Sequence, residues 1–232
     1  QVRPGVDLTY LKHIGSYIIE KKPDTIICIG DLADMASLSS YDQGKKSFEG
    51  RRYKSDIESV HEAQELLLNP IKLYNNNKRK NKEKTYNPRM VMTLGNHEFR
   101  VNRAVENDPK LDGMLSVDDL KYKEYGWEVH DFLEVVVIDG VAYSHYHTSG
   151  VLGRPITSAQ ALLSKKHMSA IMGHTQQRQI AYATRADGKQ LTAIFVGVCN
   201  NNYEDYLGPQ GNQLWRGIWM LYEVNDGSFD EC

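Results

Sequence analysis

The stretch MTLGNHEFR, residues 92–100, joins an apolar run to residues that add nothing to a hydrophobic core. Residues 90–94 have the length and composition of a short buried strand, and Gly95, Asn96 and His97 follow at once. Three other apolar runs, at 25–29, 141–144 and 169–172, are followed in the same way by Asp31, His145 and His174. Four strand-like runs are therefore each followed by side chains that can bind a metal ion.

Helical patterns separate several of these runs. Apolar residues at helical spacing predict helices over about 8–21, 55–77, 98–106 and 157–166. Strands that alternate with helices are typical of an α/β architecture, in which ligands gather beyond the carboxyl ends of the strands. Residues 179–183 and 191–198 flank Arg-Ala-Asp-Gly, a hairpin signal, and residues 215–224 predict one more strand. The second half is thus expected to contain more antiparallel strands.

Composition sets the broad class of protein. The 232 residues fit a single domain, and 28 Lys and Arg against 30 Asp and Glu do not suggest a protein that coats nucleic acid or a membrane surface. Three widely spaced cysteines predict reduced thiols rather than a disulfide framework. No apolar stretch approaches the ~18 residues of a membrane span. We expect one soluble domain over residues 1–232, in the cytoplasm and without a membrane partner.

Four short motifs follow the apolar runs in order: GDLAD at 30–34, GNHE at 95–98, an isolated His145, and GHTQ at 173–176. Each motif alone fits an ordinary turn or helix start. Their order and placement instead favour one shared site. Hydrolysis of a phosphate ester needs such a set, because divalent ions neutralise the anionic substrate and lower the pKa of bound water. Carboxylate, imidazole and amide groups can hold those ions.

These motifs resemble the calcineurin-like metallophosphoesterases, whose pattern runs DxH, GDxxD, GNH(D/E), a lone His and GHxH. Four of the five elements are present, from Gly30 to Gln176. The resemblance implies an αββα sandwich with mixed sheets and helices outside. It also implies that Asp31 bridges two metals, and that Asn96, His145 and His174 complete one metal site.

The same resemblance implies a general acid. His97 would contact the scissile phosphate and protonate the leaving group while metal-activated hydroxide attacks phosphorus. Asp34 would hydrogen-bond His97 and favour its charged form, as a neighbouring carboxylate does. His147 competes with His145 for the fourth motif, because alternation places both on one side of an extended chain. Position directly after the strand favours His145, which leaves His147 as a phosphate or outer contact.

Two glutamines depart from the family pattern. The separation between Gln1 and Gly30 is close to the separation that the family has between its first histidine and GD. Gln176 replaces the last histidine of GHxH. Both changes fall on ligands of the same metal. This pattern is similar to that of tailed-phage metallophosphoesterases, and a phage-encoded enzyme would act in the host cytoplasm. A domain that begins at Gln1 is expected to lack its first strand.

One or two divalent ions are expected as the cofactor. A neutral glutamine oxygen in place of imidazole favours Mn²⁺ or Mg²⁺, with Mn²⁺ first, and Zn²⁺ or Fe as alternatives. A decayed site with one metal or none is the alternative reading of the two glutamines.

A basic insertion over about 36–88 contains two clusters, KKSFEGRRYK at 45–54 and KRKNKEK at 78–84. Arg51 and Arg52 could grip phosphate-rich substrates, since backbone phosphates supply most nonspecific affinity for nucleic acid. A solvated helix end is the preferred interpretation of the second cluster. An aromatic rim for base stacking could come from Tyr203, Tyr206, Trp215 and Trp219, although core packing explains the two tryptophans better.

The leading functional hypothesis is a metal-dependent phosphodiesterase that acts on nucleotides or nucleic acid. A phosphomonoesterase, including a protein phosphatase, is the alternative within the enzymes. Phosphoprotein phosphatases usually continue GDxVD with Arg-Gly, whereas Met35 and Ala36 stand here. A catalytically inert nucleic-acid-binding module with a degraded metal site is the alternative from another class.

Overall fold

The computed structural model describes residues 1–203 and 208–232. Its chain divides into two compact units. The first unit comprises residues 1–92 and 96–129, and the second comprises residues 93–95 and 130–232. The architecture is mixed α/β.

The helices and strands of the first unit follow the predicted alternation. In chain order they are α1 (Thr9–Lys21), β1 (Thr25–Cys28), α2 (Tyr53–Lys80), β2 (Arg89–Thr93), α3 (Arg100–Asn107) and β3 (Glu128–His130), the last residues of β2 and β3 being assigned to the second unit. The strands form a sheet in the order β1-β2-β3, and β1 runs parallel to β2 with Thr25 opposite Arg89.

Local chemistry sets the ends of α1. The Asp7 carboxylate accepts hydrogen bonds from the Thr9 backbone N–H at 2.9 Å and from the Thr9 hydroxyl at 3.0 Å, which satisfies a free donor of the first turn. Lys22 adopts a left-handed conformation after the last turn, and its N–H donates to the Ile18 carbonyl at 2.7 Å. The predicted helix over about 8–21 is confirmed, although its N-cap is Leu8 and the Asp7 carboxylate binds the first turn from one position earlier.

The long helix α2 lies within the insertion predicted over about 36–88 and packs against α1. Its buried face includes Val60, Ala63, Leu67 and Ile71, at the spacing of an amphipathic helix. The helix extends past the predicted 55–77 at both ends. The last turn of α2 contains the first residues of the 78–84 cluster. This agrees with the interpretation of that cluster as a helix end.

The second unit is built on a five-stranded sheet in the order β4-β5-β8-β10-β9. Its elements are β4 (Val136–Ile138), β5 (Val141–Ser144), β6 (Thr148–Ser149), β7 (Arg154–Pro155), α4 (Ala159–Lys166), β8 (Ala170–Met172), β9 (Arg178–Thr184), β10 (Gln190–Val196), α5 (Gly208–Gly211), β11 (Leu221–Asn225) and β12 (Ser228–Glu231). Strands β5, β8 and β10 are parallel, whereas β4 and β9 are antiparallel at the two edges.

The core of this sheet explains the sequence pattern. Leu162 on α4 packs with Ala142, Met172 and Phe195 from the three parallel strands, and all four are buried. Strands covered in this way read as continuous apolar runs rather than alternating ones. The predicted hairpin is confirmed by the antiparallel pairing of β9 with β10.

The predicted strand over 215–224 is wrong in its first part, because β11 begins only at Leu221. The Arg216 guanidinium explains the difference. It donates to the backbone carbonyls of Asn200 and Asn212 at 3.1 and 3.2 Å, and to the Leu214 carbonyl at 3.2 Å. These bonds to nearby carbonyls hold an irregular loop that apolar composition alone does not signal.

Within residues 1–203 and 208–232, no helix has both the length and the apolar character needed to cross a membrane.

The contact between α1 and α2 predicts that one Gly→Ala substitution inside a helix destabilises the protein instead of stabilising it. A Cβ atom on Gly15 would lie 2.2 Å from the Leu67 carbonyl oxygen. Gly→Ala inside a helix normally stabilises by up to about 1 kcal/mol. We expect Gly15→Ala instead to lower the free energy of unfolding by about 1–3 kcal/mol, because α1 must move away from α2. Urea denaturation would measure this change.

The exposed neighbour Ser16 provides the control, since Ser16→Ala is expected to change stability by less than about 0.5 kcal/mol. Equal stability of Gly15→Ala and the unsubstituted chain would show that α1 and α2 are not this close.

Candidate functional site

The loop that follows β1 has an unusual backbone conformation. Gly30 has φ 85°, as glycine tolerates, but Asp31 has φ 56° and Met35 has φ 49°. Residues other than glycine in this left-handed region are uncommon and cost free energy. Surrounding contacts must therefore hold Asp31 in place.

Glu98 supplies those contacts. One carboxylate oxygen accepts the Asp31 N–H at 2.9 Å, and the other accepts the Ala33 N–H at 2.9 Å. The Tyr122 hydroxyl also donates to Glu98, at 3.1 Å. Burial and the Glu98 charge raise the pKa of Tyr122, so its hydroxyl stays protonated as a donor. Glu98 itself is fully buried. Each carboxylate oxygen thus fixes the loop that presents Asp31.

Sequence reasoning gave Glu98 no role. The only signal for it was its place as the fourth residue of GNHE.

Asp34 and His97 form the predicted pair. The Asp34 carboxylate lies 2.8 Å from Nδ1 of His97. Two arginines that sequence reasoning missed also bind Asp34: Arg3 donates to its carboxylate at 3.1 Å, and Arg100 donates to its carbonyl at 2.7 Å. Their spacing in sequence gives no hint of these contacts.

The contacts of this pair shift the pKa of both Asp34 and His97. Burial opposes ionisation of Asp34, but hydrogen bonds from His97 and Arg3 hold the pKa of its carboxyl well below its usual range. Burial likewise opposes a charged His97, yet the hydrogen bond to Asp34 and the nearby Asp31 charge leave the His97 pKa raised. His97 therefore favours its protonated form, as expected from the sequence.

Gln1 lies beside Asp31 in the first unit. Val2 bridges Ala33 in parallel fashion, with its N–H donating to the Leu32 carbonyl at 2.6 Å. This bridge brings the Gln1 amide nitrogen to 3.3 Å from the Asp31 carboxylate. The position inferred for Gln1 from its spacing before Gly30 is consistent with this contact.

The same loop joins Asp31 to the GNHE segment. The other Asp31 oxygen accepts the His97 backbone N–H at 3.0 Å, and the Gln1 amide nitrogen lies 3.1 Å from Nε2 of His97. Asn96 precedes His97 and is half-buried. The structure thus brings together the side chains of Gln1, Asp31, Asp34 and His97.

The second unit holds the two predicted histidine ligands at adjacent strand ends. Strands β5 and β8 are parallel neighbours, with Ser144 opposite Met172. His145 follows β5 directly, and its carbonyl accepts the Gly173 N–H at 2.9 Å. The rings of His145 and His174 lie 5.3 Å apart and nearly perpendicular. The carboxyl ends of parallel strands therefore converge as the sequence predicted.

Aromatic side chains enclose these histidines. Tyr146 lies 5.9 Å from the His145 ring and 4.7 Å from the His174 ring, and Phe132 lies 6.2 Å from His145. His145 is buried, whereas His174 is half-buried. His174 and Gln176 both have left-handed backbones, with φ 64° and 59°.

In the first unit Asp31 offers a carboxylate oxygen as a ligand for a divalent ion, and in the second unit His145 and His174 offer imidazole nitrogens. A carboxylate oxygen with two imidazole nitrogens suits Mn²⁺, Fe and Zn²⁺. Asn96, Gln1 and Gln176 offer neutral amide oxygens, which suit Mn²⁺ or Mg²⁺ as further ligands.

The role predicted for His147, a phosphate or outer contact, stays a prediction. Alternation fails because β5 ends at Ser144, so residues 145–147 do not continue the strand. His147 is only 2% exposed, and burial together with the nearby Lys166 charge lowers its pKa to about 4. Burial alone does not separate His147 from the candidate ligand His145, which is 1% exposed.

The aromatic residues at the end of the chain are only partly packed. Trp215 and Trp219 are half-buried with ring centroids 5.4 Å apart, and the Arg178 guanidinium lies 5.2 Å from both rings. Tyr203 is exposed, and Tyr206 lies outside the described residues. Neither tryptophan belongs to the buried core, and neither lies in a strand, so the predicted core packing is not confirmed.

The chain is similar to a protein of a bacterial virus, the Gene 54 protein of Mycobacterium phage L5. The two are 26% identical over 235 residues, which covers 96% of this chain and 85% of the phage protein. No family model matches the chain, and no solved structure matches it. The similarity therefore indicates a phage relative without indicating an activity.

The contacts of Glu98 predict a large effect from a small change. Glu98→Gln replaces one acceptor oxygen with an NH₂ group, which would face a backbone N–H or the Tyr122 hydroxyl. Leaving buried donors unpaired costs about 1–3 kcal/mol. We expect this loss in the free energy of unfolding, measured by chemical denaturation.

Glu62→Gln is the matched control, because Glu62 is exposed on α2. If both substitutions change stability equally, Glu98 does not hold the Asp31 loop.

Proposed function

We propose that this protein is a metal-dependent phosphodiesterase of the calcineurin-like type, with nucleic acid or nucleotides as substrates. The observation that carries the proposal is the Asp34–His97 pair beside Asp31. A buried carboxylate at 2.8 Å from Nδ1 directs the opposite nitrogen, Nε2, toward the side where the Asp31 carboxylate lies. This is the arrangement that a general acid beside a metal ligand requires.

The order of the motifs assigns Asp31 and Asn96 to the same ion as His145 and His174. Gln1 and Gln176 would contribute to a second, weaker ion. The donor chemistry fits Mn²⁺ as the preferred cofactor. A bound divalent ion neutralises phosphate charge and acidifies water.

Side chains of the protein would then hold the proton that the leaving oxygen takes up. Asp34 binds Nδ1 of His97 and favours the imidazolium, so Nε2 holds the proton that the leaving oxygen needs. Arg3 and Arg100 keep Asp34 ionised by binding its carboxylate and carbonyl. The Gln1 amide nitrogen lies 3.1 Å from Nε2.

The wider assignments belong to the same proposal. An αββα sandwich would position both sets of ligands at strand ends, and a phage-encoded enzyme would act in the host cytoplasm. The chain continues GDLAD with Met35-Ala36 rather than Arg-Gly, which favours a diesterase over a protein phosphatase.

Hydrolysis of bis-p-nitrophenyl phosphate with Mn²⁺ tests the activity. We expect His97→Ala to lower kcat by ~10² to 10⁴, the usual contribution of general acid catalysis. His167→Ala is the control, because His167 is exposed at the end of α4. Unchanged turnover in His97→Ala would remove the proposed acid. Faster cleavage of p-nitrophenyl phosphate would favour a monoesterase.

Metal binding can be tested without turnover. Calorimetric titration with Mn²⁺ should give at least one site in the unsubstituted chain, and His174→Ala should weaken it by tenfold or more because one imidazole ligand is lost. His13→Ala, an exposed position on α1, should bind as the unsubstituted chain does. A folded protein that binds no Mn²⁺ and hydrolyses neither ester would support an inert binding module.

A further inference from the structure

The hairpin that follows His145 has an apolar tip. Strands β6 and β7 pair in antiparallel fashion, and the loop between them, residues 150–153, reads Gly-Val-Leu-Gly. Val151 is 101% exposed and Leu152 is 75% exposed. Two adjacent apolar side chains that stay in water forgo the free energy that their burial would release. The tip is therefore suited to a partner that offers an apolar contact.

This hairpin lies beside the two candidate histidine ligands in the second unit. Its base is tied down, because the Ile156 N–H donates to the His147 carbonyl at 2.9 Å. The Tyr146 hydroxyl donates to the Gly153 carbonyl at 3.4 Å, and the Tyr146 ring lies 4.7 Å from the His174 ring. One tyrosine side chain thus joins the loop to the edge of the sheet where the histidines meet.

The chain around the hairpin is basic. Residues 140–186 contain five Lys and Arg and no Asp or Glu, in a protein whose net charge is -2. Arg154 directly follows the loop and is exposed. Lys165 on α4 is also exposed, and its ammonium group donates to the neutral Ser149 hydroxyl of β6 at 2.6 Å. Within the described part of the chain, neither Arg154 nor Lys165 forms an ion pair.

Two acidic residues approach this basic region from outside the segment. Phe132 lies 5.5 Å from Tyr146, which brings Asp131 and Glu134 to the same end of the unit. The Glu134 carboxylate is engaged, since it lies 2.8 Å from Nδ1 of His130 and accepts the Asp131 N–H at 3.0 Å. These two acids therefore leave one exposed, unengaged carboxylate against two exposed cationic side chains.

The arginines that the sequence predicted as phosphate contacts lie in the first unit. Arg51 donates to the Asp42 carboxylate at 2.8 Å and to the Ala36 carbonyl at 3.0 Å, so much of its guanidinium is engaged within the chain. Arg52 is exposed and donates to the Arg51 carbonyl at 2.8 Å. The gripping role of Arg52 stays a prediction, and the hairpin is a separate basic surface.

Nucleic acid offers the combination of apolar contact and negative charge that this surface fits. Apolar side chains can insert between neighbouring bases, while basic side chains bind the phosphates beside them. Anionic lipid offers similar chemistry. However, two side chains bury less apolar surface than one acyl chain, which by itself gives only marginal membrane binding. The contact through Tyr146 to His174 also favours a substrate with phosphodiester bonds.

We propose that the β6–β7 hairpin is a nucleic-acid wedge. Val151 and Leu152 insert between two neighbouring bases, and Arg154 and Lys165 bind the flanking phosphates. Insertion between bases unstacks them and kinks the duplex. This inference rests on the proposed phosphodiesterase function and names nucleic acid, rather than a free nucleotide, as its substrate.

Fluorescence of 2-aminopurine in a DNA duplex tests the insertion, because this base becomes brighter when it is unstacked. Metal-free protein keeps the test separate from hydrolysis. We expect binding of the unsubstituted protein to raise the fluorescence. The double substitution Val151→Ser with Leu152→Ser should abolish the rise and weaken binding about tenfold, because the apolar contact is lost.

Met114→Ser is the matched control, because Met114 is 71% exposed in a turn of the first unit and should bind DNA as the unsubstituted protein does. An equal rise of fluorescence in the double variant, or no DNA binding by the unsubstituted protein, would overturn the proposal.

The salt dependence of DNA binding tests the phosphate contacts. Arg154→Gln should reduce the slope of log K against log salt concentration by about 1, because one phosphate contact is removed. Lys12→Gln makes the same change of charge at an exposed position of α1 and should keep the slope of the unsubstituted protein. Equal slopes in Arg154→Gln and Lys12→Gln would contradict the wedge.

Other outcomes would assign the hairpin to a different partner. Binding to phosphatidylserine vesicles that the double variant loses, without DNA binding, would assign it to a membrane and overturn the proposal. A dimer in sedimentation that only the double variant dissociates, again without DNA binding, would assign it to a second copy of the chain and overturn the proposal.

The wedge and the proposed activity can fail independently. DNA binding with the expected fluorescence, but without hydrolysis of either nitrophenyl ester in Mn²⁺, would retain the wedge and reject the diesterase. Hydrolysis of bis-p-nitrophenyl phosphate by a protein that binds no DNA would retain the diesterase and reject the wedge.

Discussion

The buried Glu98 carboxylate is the interaction on which the first half of the site depends. Asp31 occupies a left-handed conformation that costs free energy, and the two bonds from Asp31 and Ala33 to Glu98 offset that cost. Tyr122 satisfies the remaining demand of the carboxylate. A carboxylate without such donors would not tolerate burial. The loop geometry and the buried charge therefore stabilise each other.

Both units use the same physical rule to place polar side chains. Apolar strands end at a common edge, and the next residue leaves the sheet in a turn where polar groups can meet. In the second unit this rule brings His145 and His174 together at the ends of β5 and β8. In the first unit it places Asp31 after β1 and His97 after β2, with a hydrogen bond between them.

Sequence patterns failed where a long side chain met distant backbone. The strand over 215–224 was predicted from apolar residues, but Arg216 binds the carbonyls of Asn200, Asn212 and Leu214. His147 shared the predicted alternation of His145, but the strand ends before both residues. Arg51 looked available for substrate and is occupied by Asp42. None of these partners follows from local periodicity, because each contact depends on the folded path of the chain.

The sequence by itself determined the strand–helix alternation, the hairpin of β9 and β10, and the identity of the polar residues at strand ends. Local spacing suffices for these features because each depends on neighbours in the chain. Only the tertiary structure decided that Glu98 holds Asp31 and that Arg3 and Arg100 bind Asp34. Those contacts join residues far apart in sequence, so burial and hydrogen-bond satisfaction in the folded chain select the partners.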